Sequence, residues 1–204
     1  MTGKWIVFDG VGCSGKSTLT KALQTAYNQK YEGQRPPALL FGLPRRTGLG
    51  ALLREFLAGQ RALSERALIA LFFADFCDCY QTEIQPALSK GHLVICDRWY
   101  YSTFVYQCDD LPVENLFTIA EQLLPHVPDQ TFILNPPVDT ILERLKLRGA
   151  LDDRYDDGDQ WRLFTYHTRY NELRAKQKLQ KHSFQVFDET FTVSELLSKI
   201  LPQL

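Results

Sequence analysis

The chain reads as a three-layer α/β fold, a central five-stranded parallel sheet flanked by helices, on three observations. Five strand-length apolar runs are spread along it, at Lys4 to Asp9, Ala38 to Gly42, Leu93 to Cys96, Thr131 to Leu134 and Phe184 to Phe187. Helical periodicity fills most of the intervals, so the order is β-α-β. The runs are apolar at successive positions rather than alternate ones, as strands covered on both faces require. Ligands of such a sheet bind beyond the carboxyl ends of its strands.

Composition agrees with one compact domain. The 204 residues are 45% hydrophobic, enough for a full core, and the formal net charge of −1 gives no reason to expect a nucleic-acid or membrane surface. No segment reads as a signal peptide and no apolar run approaches the ~18 residues of a membrane span. The five cysteines, Cys13, Cys77, Cys79, Cys96 and Cys108, lack zinc-site spacing and read as reduced thiols. The expectation is a soluble, cytoplasmic protein.

The first run leads directly into D-G-V-G-C-S-G-K-S-T, Asp9 to Thr18, which matches the phosphate-loop pattern G-x-x-x-x-G-K-S/T. Gly10, Gly12 and Gly15 let successive backbone N–H groups, those of Cys13 and Ser14 among them, converge on an anion at a helix N-terminus. Lys16 adds a mobile charge for the outer phosphates, and the Ser17 hydroxyl is the usual protein ligand of Mg2+. The helix begins near Gly15, and Thr18 completes the ATP-binding set. A nucleoside triphosphate is the expected ligand.

After the second run, Ala38 to Thr47 holds two arginines, Arg45 and Arg46, and no carboxylate. Two cations and no carboxylate suit an acceptor that already carries a phosphate and needs no strong base, although both could be solvated loop residues. The helical stretch beyond places Leu68, Leu71, Phe72, Asp75 and Cys79 near one face, with Phe76 beside it. The third run ends in D-R-W-Y-Y-S-T-F-V-Y-Q, Asp97 to Gln107. An acid and an arginine side by side at a strand end suit a ligand for magnesium-bound water and a clamp on a migrating phosphoryl group. A last charged run, Arg148 to Asp159, has the composition of a solvated, mobile loop.

These blocks resemble the thymidylate kinase family of nucleoside monophosphate kinases. The family pattern D-R-Y/F/H/W-x-x-S-x-x-A-Y/F is met by Asp97, Arg98, Trp99, Ser102 and Tyr106, with Val105 for the alanine. Leu43, Pro44, Arg45, Arg46 and Thr47 resemble a shortened F-P-x-R-x-T, and Leu71 to Phe76 resemble L-F-x-A-x-R. Arg148, Gly149, Arg154, Tyr155 and Asp156 match R-G-x-x-x-x-R-Y-D/E.

The resemblance implies a P-loop kinase fold with a mobile lid at about 148 to 160, ATP and Mg2+ as donor, dTMP as acceptor, and homodimers formed through helices such as Ala67 to Cys79. By resemblance, Lys16 and the loop amides hold the donor phosphates, Ser17 and Asp97 serve the metal, and Arg98 bridges acceptor and migrating phosphoryl. Arg46 would grip the acceptor 5′-phosphate, Phe72 stack on the base and Tyr106 lie under the sugar. Ser102 and Tyr155 belong to the same acceptor side, and Arg148 and Arg154 would stabilise the phosphoryl while Arg144 stacks on adenine.

Two positions depart from the family. Gly12 replaces an aspartate that bonds the acceptor 3′-hydroxyl, and Phe76 replaces an arginine that bonds the base. Asp9 then either shares the sugar or magnesium contact or anchors the loop. Asp75, Thr103 and Gln107 are candidate base readers, although Asp75 could equally cap the helix or face water. The alternatives are another deoxypyrimidine monophosphate as acceptor, a deoxynucleoside kinase, or a non-catalytic nucleotide-binding regulator.

Overall fold

The computed structural model describes residues 3–148, 154–155, 158–173, 175–176 and 182–204. Five parallel strands form one sheet in the order β2-β3-β1-β4-β5: β1 Lys4–Gly10, β2 Leu39–Gly42, β3 Leu93–Asp97, β4 Gln130–Leu134 and β5 Phe184–Phe187. The strands fall within a residue of the apolar runs, because each run is apolar where both sheet faces are covered. β1 lies at the centre, with Phe8 level with Asp97 of β3.

Helices α1 Lys16–Lys30 and α9 Val193–Ile200 cover one face, burying Leu19, Leu23, Leu196 and Ile200 against Ile6, Phe8, Ile95 and Phe132. Thr192 and Glu195 close a reciprocal cap at the start of α9. The opposite face carries α3 Glu65–Cys79, α5 Tyr101–Tyr106, α6 Val113–Leu123 and α8 Gln160–Leu173 over an aromatic-rich core of Trp5, Phe73, Phe76, Trp99, Tyr100, Phe104 and Tyr170. Between them run α2 Gly48–Leu57, a π-helical turn Tyr80–Ile84, α4 Gln85–Ser89 and α7 Val138–Arg148.

At the carboxyl end of β1 a side chain is sterically excluded. A Cβ on Gly10 would lie 2.0 Å from the Leu134 carbonyl oxygen, at a φ of +141°. Only glycine lets the chain leave the sheet here and turn into the phosphate loop.

Candidate functional site

All of the sheet's carboxyl-end loops open onto one cavity of about 810 Å³, within the size range of small-molecule sites. The phosphate loop forms one wall, from Gly12 to Thr18, and α1 starts directly from Gly15, whose φ is +100°. The Lys16 ammonium lies at the cradle, donating to the carbonyls of Gly10 (2.9 Å) and Val11 (2.6 Å) and to Ser14 Oγ (3.0 Å). Cys13, like Arg98, holds a positive φ without being glycine, at +54° and +79° respectively. Such conformations cost of order 1–3 kcal/mol each and persist where surrounding bonds impose them.

For Arg98 those bonds are identifiable. Its backbone N–H donates to Phe8 O at 2.8 Å, and its guanidinium donates to Gly10 O at 3.0 Å and Ser102 Oγ at 3.2 Å while lying over the Tyr106 ring. Asp97, the preceding residue, accepts from Ser17 Oγ at 2.5 Å across the mouth of the loop. These two hard oxygen donors beside a phosphate cradle fit Mg2+, which takes few protein ligands and shares the rest with phosphate and water.

Asp9 does not face the cavity. It is fully buried, and its carboxylate accepts from the backbone N–H of Gly10, Trp99 and Ser102, from Ser102 Oγ at 2.6 Å and from the Tyr170 hydroxyl at 2.8 Å. Burial, and then the Asp9 charge, push the Tyr170 phenol well above its ordinary pKa. Of the two roles open for Asp9, the structure shows the loop anchor.

The far wall carries Phe72, Ser102, Thr103, Tyr106, Gln107 and Tyr155. Gln107 donates to the Tyr155 hydroxyl at 3.0 Å, and the Tyr155 ring lies 4.9 Å from Tyr106. Thr103 Oγ1 is buried with no hydrogen-bond partner among the described residues. Phe76 and Asp75 are absent from this wall. Phe76 is buried against Trp99 at 5.0 Å between ring centroids, since an apolar ring at that position joins the core instead of reaching out as an arginine would. Asp75 is likewise fully buried, and it accepts from Arg45 Nε (2.8 Å) and from the Arg45 backbone N–H (3.1 Å).

Arg46 lies exposed on the turn before α2, off the cavity lining. Arg54 of α2, which sequence reasoning did not single out, lines the cavity instead. Its half-buried guanidinium has a lowered pKa, first because of burial and then because of Arg46 nearby, with Arg98 adding to the effect and Asp75 and Asp97 opposing it. Arg54 and Arg98 thus both line the cavity, while Arg46 stays off it. The available sequence signal was the i, i+4 spacing of Gly50 and Arg54, which sets both on the helix face meeting the Arg45 backbone.

On the donor side Arg144 Nη1 donates to Ser14 O at 3.0 Å and Arg148 Nη1 approaches Cys13 Sγ at 3.2 Å, so both α7 arginines sit on the phosphate loop. Arg154 sits elsewhere. Its guanidinium lies 4.3 Å over the Phe56 ring and its N–H donates to Leu57 O, in a hollow shared with Arg61 and Glu65. Gly149, Asp152, Asp153, Asp156 and Asp157 of the expected lid lie outside the described residues.

A family model for thymidylate kinase matches residues 8–200. The chain belongs to the thymidylate kinase family. The thymidylate kinase of Leptospira borgpetersenii is 33% identical over 180 residues, 86% of this chain and 83% of that protein. The solved structure of Candida albicans thymidylate kinase superposes with a TM-score of 0.77 at 25% identity, covering 99% of this chain and 91% of that one. That of Ehrlichia chaffeensis, at 19% identity, shares the fold with a TM-score of 0.75 over 100% of this chain and 98% of that one. The phosphate loop, Asp97, Arg98 and Arg54 line one cavity of this fold. Among the described residues no helix is long and apolar enough to cross a membrane.

Proposed function

We propose that the protein transfers the γ-phosphoryl group of ATP to dTMP, giving dTDP and ADP. The observation that carries this reading is that Arg54 and Arg98 line the cavity in addition to Lys16 of the phosphate loop, since a single triphosphate does not need a second cationic site. Among the described residues lining the cavity, Asp97 is the one carboxylate, and it is engaged with Ser17 at the donor side. A nucleoside 5′-hydroxyl would lack a base there, while a phosphate acceptor needs none.

The loop amides and Lys16 hold the donor's outer phosphates, and Arg98 reaches the migrating group from the acceptor side. Ser17 and Asp97 would hold Mg2+, which when bound neutralises charge on the phosphate oxygens. Arg148, beside the loop at Cys13, is placed to add positive charge there, with Arg144 next to the loop on the adenine side. For the base, Phe72 would offer a stacking face, and the Thr103 hydroxyl and the Gln107 amide on the same wall would read its edge. We extend the reading to a one-domain cytoplasmic enzyme that pairs as a homodimer, supported by the family match over residues 8–200.

Phe76 favours a second reading, in which the acceptor is a deoxypyrimidine monophosphate less strictly limited to thymine, because the side chain at this position packs on Trp99 and offers the base no cation. Coupled ADP-release assays over nucleosides and their monophosphates decide between them. The first reading expects kcat/KM highest for dTMP, negligible turnover of thymidine, and loss of activity in EDTA. Turnover of nucleosides, or none dependent on any acceptor, would overturn it. Arg54→Ala should raise the dTMP KM about tenfold or more with ATP KM little changed, as for loss of one charge-assisted phosphate contact.

A further inference from the structure

Arg45 is held more firmly than any exposed-turn residue needs to be. Its side chain reaches three carboxylates: Asp75 through Nε at 2.8 Å, Asp78 through Nη2 at 2.5 Å and Glu83 through Nη1 at 3.1 Å. The first two acids stand on α3, while the π-helical turn Tyr80–Ile84 carries Glu83 to the third. Burial alone would lower the Arg45 pKa, but the hydrogen bonds to Asp78, Asp75 and Glu83 outweigh it and raise it.

The backbone of Arg45 is gripped as well. Its N–H donates to Asp75 Oδ2 at 3.1 Å, and its carbonyl oxygen accepts from Arg54 Nε at 3.2 Å. On the remaining side α2 presses so close that a Cβ on Gly50 would stand 2.4 Å from both Arg45 N and Arg45 O. Asp75, fully buried, thus fixes Arg45 from both side chain and main chain, and the fixed carbonyl of Arg45 orients the guanidinium of Arg54 at the cavity wall.

We propose that Asp75 is a positioning residue for the acceptor's phosphate, acting through Arg45 to aim Arg54, and takes no part in reading the base. This rests on the kinase reading above. Asp75 stands between Phe72 and Phe76, so by position in the sequence it would pass for a base reader; its hydrogen bonds lead instead to the phosphate end. Arg45 is the fork that suits this task, since a lysine could not bond three carboxylates and keep a planar, fixed geometry.

The test separates phosphate from base by comparing dTMP with thymidine. In Asp75→Asn the dTMP KM should rise about tenfold with kcat within about twofold, and the Kd for thymidine, measured calorimetrically, should stay within about twofold of wild type. In the double variant Asp75→Asn, Arg54→Ala the loss should equal that of Arg54→Ala alone, because the acid acts through the arginine. Thymidine affinity falling as far as dTMP affinity would make Asp75 a base reader after all. Losses that multiply would show that it does not act through Arg54. Should Asp75→Asn fail to fold, Glu83→Gln, at the solvent edge of the same cluster, should raise the dTMP KM two- to threefold while leaving thymidine binding alone, and an unchanged KM would overturn the proposal. A wild-type protein that does not turn over dTMP would instead overturn the kinase reading itself.

Discussion

Arg98→Ala is expected to lower kcat about a thousandfold with ATP KM little changed, the scale on which an arginine that meets the transferring phosphoryl group contributes. The guanidinium is held by Gly10 O and Ser102 Oγ and stacked over Tyr106, so it arrives at the reaction already oriented. Single-turnover measurement of the chemical step checks this, and a loss confined to KM would reassign Arg98 to simple binding. A companion variant isolates the backbone. Both Ala and Gly remove the guanidinium, but at a φ of +79° glycine is unstrained, so Arg98→Gly should unfold at a free energy about 1 kcal/mol higher than Arg98→Ala.

Asp9→Asn should be the most damaging isosteric change in the chain. All of the five hydrogen bonds at Asp9 are donated to it, three of them by backbone N–H groups that cannot rotate away. An amide must turn its NH2 toward either Gly10 N–H or the pair Trp99 N–H and Ser102 N–H. At least one buried donor then faces another donor. The expected cost is about 3 kcal/mol, seen as a fall in Tm of roughly 6–12 °C for a chain of this size. Because Ser102 also steadies the Arg98 guanidinium, kcat should fall about a hundredfold in the fraction that remains folded. An Asn variant with unaltered Tm and kcat would mean that Asp9 is not the anchor described.

Much of this site could be read from the sequence because it depends on local rules. The phosphate loop needs backbone shapes that only certain residues adopt, so Gly10 and Gly15 betray it, and the apolar runs announce strands because both sheet faces are covered. Asp97 and Arg98 were legible from their place at a strand end. Arg54 was not, because its reach into the cavity depends on the Arg45 carbonyl and on the bare face of Gly50, neither of which leaves a local pattern. The ambiguity of Asp75 had the same origin: an acid on an apolar stripe announces that it has a partner, but that partner lies thirty positions away. The seat of Arg154 on Phe56 also follows from tertiary placement alone.

The pairing of β1 with β3 sets where the two phosphate-binding segments leave the sheet. Lys16 and the donor loop leave from the end of β1, Arg98 leaves from the end of β3, and the two strands are bonded neighbours with Phe8 level with Asp97. The donor loop and Arg98 thus leave from neighbouring strands, which in hydrogen-bonded sheets generally lie about 4.8 Å apart. The relative placement of the two strand ends that launch these segments is therefore a property of the sheet, present before either nucleotide arrives.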